Sequence, residues 1–133
     1  NPIFFISKGI ICLLIITISA SIITSEYLVY NYPESPEKNY YALRLNPENT
    51  FAVFNKATAE MNLKRSEDAK ETLYNELSVR SNNFVAMSLL AQQYYNEGNI
   101  EKTCYFSKRI DALFHGRSRF HDFSTQFCST VPN

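Results

Sequence analysis

"ALRLNPENTFAVFNKATAEM" occupies residues 42–61, and "VRSNNFVAMSLLAQQYY" occupies residues 79–95, opening thirty-four residues after Leu45. The two stretches echo one another at that fixed offset. Val53 matches Met87 and Ala57 matches Ala91. Downstream, Ala69 corresponds to Thr103. A small residue lets two helices approach closely, and a large apolar residue one turn before it fills the space beside them, so this pattern describes paired helices.

Punctuation on either side of the echo supports that reading. Asn46 with Pro47 reads as a cap and first-turn pair, and Ser66 before Glu67 and Asp68 reads as a cap followed by acids in the first turn. Asn82 or Asn83 opens the next helix, Gly98 suits the left-handed residue that closes it, and Asn99 caps its successor. These signals predict helices over 36–45, 50–62, 66–79, 84–96, 100–113 and 118–128.

Upstream lies a different kind of sequence. "GIICLLIITISASIITS", residues 9–25, contains no charged side chain. At about 1.5 Å per residue the run covers roughly 25 Å, and its flanks supply the rest of a hydrocarbon core of about 30 Å. Phe4, Phe5 and Ile6 extend it on one side, Lys8 can reach the headgroups, and Tyr27, Tyr30 and Tyr32 form an aromatic belt on the other. A membrane-spanning helix is expected from about Phe4 to Tyr30. A cleaved secretory signal is the competing reading, with Ser19, Ala20 and Ser21 as the small residues and a mature start near Ile22. Cys12 serves as a small apolar filler in the span. After it, "NYPESPEKNYY" brings two prolines and mixed charge, the composition of a short linker.

Several functions are disfavoured by composition. Lys plus Arg and Asp plus Glu stand at 13 each, so no net field draws the chain to nucleic acid. His115 and His121 are the only histidines, and neither HExxH nor Cys-x-x-Cys occurs, so no metal site and no catalytic constellation is assigned. Glu67, Asp68 and Glu71 form a solvated acidic turn. With three glycines in the chain there is no phosphate-cradling loop, and no cofactor is expected.

A helix-turn-helix unit of 34 residues resembles the tetratricopeptide repeat, and residues 50–83 and 84–117 each fill one period. Leu90 and Tyr94 fall where that family has a leucine and an aromatic, and Ala42 with Pro47 suits the end of a preceding unit. Lys56, Glu60 and Glu76 depart from the pattern, standing where leucine, tyrosine and alanine are usual. An ordinary helical hairpin bundle is the alternative. The expected fold class is all-α, an N-terminal transmembrane helix followed by a TPR-like stack of antiparallel helical hairpins. Its divisions are residues 1–32 for the span and flanks, 33–49 for a linker and partial repeat, 50–117 for two hairpins, and 118–133 for a capping helix and tail. The resemblance implies that the first helix of each unit lines a concave binding face. Candidates there are Asn55, Thr58, Asn62, Leu89, Gln92 and Gln93, an amide-rich set suited to peptide backbone or sugar hydroxyls.

Cys104 and Cys128 are disulfide candidates, with two buried thiols as the alternative. A bridge would staple the terminal helix to the second hairpin, with Phe120, Phe123 and Phe127 sharing one helical face. Lys8 precedes the span, while Glu26, Glu34 and Glu37 follow it immediately and Lys38 and Arg44 come later, a charge pattern read as favouring the helical domain on the outer side, where a disulfide can persist.

A membrane helix, a short linker and then "YYALRLNPENTFAVFNKA" resembles the C-terminal region of bacterial O-antigen polymerase and ligase proteins, including protein O-oligosaccharyltransferases. The resemblance rests on Tyr40, Tyr41, Ala42, Leu43, Leu45, Asn46 and Pro47. It implies a periplasmic helical tail on a polytopic core, with the catalytic residues in that core and none here. Two functions follow as expectations. One is a noncatalytic, membrane-tethered interaction module in the bacterial inner membrane with its helical domain in the periplasm. The other is the tail of such a glycosyltransferase. Expected partners are the membrane and a protein or peptide, with a glycan-assembly component as one candidate.

Overall fold

A computed structural model of the protein describes residues 2–114 together with His121 and Cys128, with side chains described from Gly9 onward. The expected helix 118–128, with Phe120, Phe123 and Phe127, lies outside the described residues, as does His115. Among the described residues the chain is all-helical: α1 Pro2–Asn31, α2 Pro36–Leu45, α3 Thr50–Asn62, α4 Ser66–Val79, α5 Phe84–Asn96 and α6 Ile100–Leu113. It divides into two compact units, Asn1–Ala59 and Glu60–Asn133.

In the first unit, α1 is long and apolar enough from Gly9 to Asn31 to cross a membrane. Ile10, Ile11, Leu13, Ile15 and Ile16 all stand more than half exposed, and at 3.6 residues per turn their positions go round the helix. Three of its hydroxyls bond within the helix: Thr17 donates to the Leu14 carbonyl at 2.9 Å, Ser21 to Thr17 at 3.0 Å and Thr24 to Ala20 at 2.8 Å. Side chains that return their hydrogen bonds to their own backbone leave nothing for water to solvate.

At Ser25 the helix changes character. Ser25 and Val29, one turn apart, are buried, and Val29 packs with Ala42 and Ala52, flanked by Leu28 and Leu43. The last two turns of α1 therefore form a hairpin with α2. Pro36 occupies the first helical position of α2, where its missing N–H costs nothing, and the Ser35 hydroxyl accepts from the Lys38 N–H. Buried Asn39 holds the connecting turn, donating to the carbonyls of Tyr32 and Ser35 at 2.8 Å each. The segment 33–49 is thus mostly helix, packed on the end of the apolar helix that precedes it.

Cap assignments differ from expectation at two points. Asn46 ends α2, while Asn49 begins α3, its side-chain oxygen accepting from the Ala52 N–H at 3.2 Å. Ser66 is the first residue inside α4, and the residue before it, Arg65, makes no side-chain cap. Asn83 and Asn99 cap α5 and α6.

The second unit contains α4, α5 and α6, with α5 packed against both neighbours. Ala69, Leu73, Met87, Leu90, Ala91, Phe106 and Ile110 form its core. Helix boundaries recur along the chain at a fixed interval. α3 and α5 start at Thr50 and Phe84 and end at Asn62 and Asn96, while α4 and α6 start at Ser66 and Ile100 and end at Val79 and Leu113. Each pair is separated by the same thirty-four residues as the sequence echo, and the end of α2 at Leu45 falls on the same series.

Candidate functional site

The six candidate binding residues do not share one environment. Asn55 is half-buried and its amide donates to the Val29 carbonyl at 3.2 Å, which commits it to holding α3 on α1. Thr58 is half-buried, and among the described residues its hydroxyl finds no partner. Asn62, the last residue of α3, is exposed. On α5, Leu89 is half-buried, Gln92 is exposed and Gln93 is half-buried; their spacing of three and four sets them on one side of that helix.

Gln93 belongs to a polar network that the sequence reading did not anticipate. Ser66, Lys70 and Tyr74 recur every fourth residue on α4 and so line one face of it. Opposite them stand Gln93, Tyr94 and Glu97 of α5. The Ser66 hydroxyl donates to Glu97 at 2.6 Å, Gln93 donates to both Ser66 and Glu97, and Lys70 reaches Glu97 at 3.1 Å. These bonds, the one from Ser66 first, pull the Glu97 carboxyl down to about 2. Lys70 also pairs with Glu67 at 2.6 Å, and that bond raises its pKa.

Tyr94 is the centre of this face. Its ring stacks on Phe106, with planes 5° from parallel, and the ammonium groups of Lys70 and Lys102 lie 5.3 and 4.8 Å from its centroid. Its hydroxyl is 3.0 Å from that of Tyr74 and accepts from Lys102 at 3.3 Å. Burial and the bond to Tyr94 push the Tyr74 phenol up to about 12. The cluster joins α4, α5 and α6, and its spacing by fours was the signal that could have revealed it.

Glu76 makes a second junction. It is buried, and Arg80 binds it with two donors at 2.6 and 2.8 Å while Asn83 donates at 2.6 Å. These contacts, led by Arg80, lower the Glu76 pKa. Because Asn83 also caps α5, accepting from the Val85 and Ala86 N–H groups, the carboxylate ties the end of one helix to the start of the next. Glu60, another departure from the repeat pattern, is buried and accepts from Thr72 at 2.9 Å.

Cys104 and Cys128 are disulfide-bonded, with sulfurs 2.08 Å and Cα atoms 5.4 Å apart. His121 lies 3.1 Å from Asp111. Cys12 is a free, exposed cysteine on the apolar helix.

Compared with known proteins, the sequence matches no family model and no curated relative.

Proposed function

We propose that this chain is a membrane-tethered interaction module of the tetratricopeptide type, noncatalytic in itself, with its helical domain on the oxidising side of the membrane. The carrying observation is the thirty-four-residue recurrence of helix boundaries behind an apolar helix that continues into the first hairpin. The disulfide supports the oxidising side, since such bonds persist outside the reducing cytosol. For a bacterial protein that side is the periplasm. The resemblance to the tail of O-antigen polymerases and ligases fits the same picture, as a noncatalytic extension of a larger membrane enzyme.

With Asn55 and Gln93 committed to interhelical bonds and the Thr58 hydroxyl buried, the binding surface narrows to Asn62, Leu89 and Gln92. A peptide partner suits them, because an exposed amide both donates and accepts along an extended backbone. Photo-crosslinkers placed in cells at Asn62, Gln92 and the exposed Glu101 of α6 test this. The reading expects a common adduct at Asn62 and Gln92 and none at Glu101; capture at Glu101 alone would contradict it.

A further inference from the structure

The junction between α1 and its hairpin fixes the depth of one turn of the protein. Because Ser25 and Glu26 begin a buried polar junction, the hydrocarbon core is set to end before them; residues 4–24 of α1, roughly 31 Å at 1.5 Å per residue, then fill a core of about 30 Å and leave Ser25 at its edge, short of the expected Tyr30. Ser25 donates to the Ala42 carbonyl at 2.9 Å. Asn49 donates to the Ser25 hydroxyl at 3.0 Å and to the Glu26 carboxylate at 3.2 Å. The connection from α2 to α3 is therefore held beside the residues that leave the core. Since α2 runs back against α1, Leu45 lies beyond Ala42 toward the bilayer, and α3 starts from the same level and climbs away, its Asn55 meeting Val29.

Leu45 is 39% exposed and Phe51 is 71% exposed, although both flank a turn whose Asn49 is 96% buried. Leucine and phenylalanine exposed on either side of a turn gain from burial at the boundary of headgroups and acyl chains, about 6 Å thick on each side of the core. The turn's polar residues, Asn46 and Glu48, suit the headgroup layer itself. Helical continuity through Ser25 leaves no linker that could carry the tip elsewhere.

We infer that the α2–α3 turn is a second membrane contact, with Leu45 and Phe51 inserted into the bilayer interface beside the span. This rests on the membrane reading above. It makes α2 and the turn after it a seated collar and not part of a domain on a free tether.

Because the chain has no tryptophan, a single substitution places one fluorophore at a chosen depth. The full chain is reconstituted in phosphatidylcholine–phosphatidylglycerol vesicles whose acyl chains carry bromine near the carbonyl end, as Phe51→Trp, Ile23→Trp or Tyr32→Trp. Tyr32, the residue after α1, lies about 10 Å farther from the core than Ser25, past the interfacial belt in which the sequence places it. The expected result is loss of emission with a blue shift for Ile23→Trp and Phe51→Trp, and emission close to that in unbrominated lipid for Tyr32→Trp. Quenching of Ile23→Trp without quenching of Phe51→Trp overturns the collar and leaves the span standing. Absence of quenching at Ile23→Trp overturns both. Quenching of all three alike also overturns the collar, since it would mean a hairpin lying flat in the interface.

Discussion

Lys64 and Gly98, thirty-four residues apart, hold the same left-handed backbone conformation, with φ of 60° and 73°. Around each, the same two bonds close a helix: Lys64 N–H to Met61 and Arg65 N–H to Glu60 in one case, Gly98 N–H to Tyr95 and Asn99 N–H to Tyr94 in the other. Glycine suits the position because it has no Cβ to clash with its own carbonyl. At Lys64 the turn forms without it.

Gly98→Ala is expected to destabilise the protein by about 1 kcal/mol, the cost of a left-handed alanine less the gain from a stiffer unfolded chain. Space is not the issue, because a Cβ there would meet nothing within 4 Å. Lys64→Gly should be neutral or stabilising by under about 1 kcal/mol. Denaturant unfolding checks both, and marked destabilisation by Lys64→Gly would count against the shared turn.

Ala91 is 2% exposed at the close approach of the second hairpin. Ala91→Leu should cost about 1–3 kcal/mol through overpacking, measured as a lower unfolding midpoint with an unchanged slope. Gln92→Ala, next to it but exposed, should shift the midpoint little.

Glu97 gives a pH dependence with a definite sign. Its folded value, about 2, lies below the ordinary carboxylate value of 4.5, so its contribution is present in full above about 4.5 and fades as pH falls toward about 2. Glu76 is shifted in the same direction. Glu97→Gln should therefore flatten the fall in stability across that interval relative to the unsubstituted protein. An identical slope would show that the Ser66, Gln93 and Lys70 contacts do not hold the carboxylate in solution.

Reduction of the Cys104–Cys128 bond should lower stability by about 3 kcal/mol on the chain-entropy account, given the separation of 24 residues. Thermal unfolding with and without reductant measures the loss. Maleimide labelling of both cysteines in unreduced native membranes would contradict the oxidised state.

Helix positions were legible in the sequence because their signals are local. The expected bounds 36–45, 50–62, 66–79, 84–96 and 100–113 are the observed ones, set by Asn83, Gly98 and Asn99 and by the thirty-four-residue echo. Side-chain partners were not legible. Ser66 looked like a cap, but its hydroxyl goes to Glu97, thirty-one residues away, and no local rule names that partner. Asn46 reads as the cap, but Asn49, three residues on, takes that place at α3 while its amide bonds Ser25, a partner twenty-four residues away. Ser25 itself reads as the end of an apolar run; that it is also the first buried residue of a hairpin depends on Ala42 and Asn49. Of the candidate surface only Asn62 and Gln92 are exposed, and the commitment of Asn55 and Gln93 to neighbouring helices was not legible.

The most direct test of the tethered module is alkaline carbonate extraction of native membranes, followed by intact mass of the recovered chain. The account predicts that the protein remains in the membrane pellet with residues 9–24 still attached. Release into the supernatant, or a species beginning near Ile22, would contradict it.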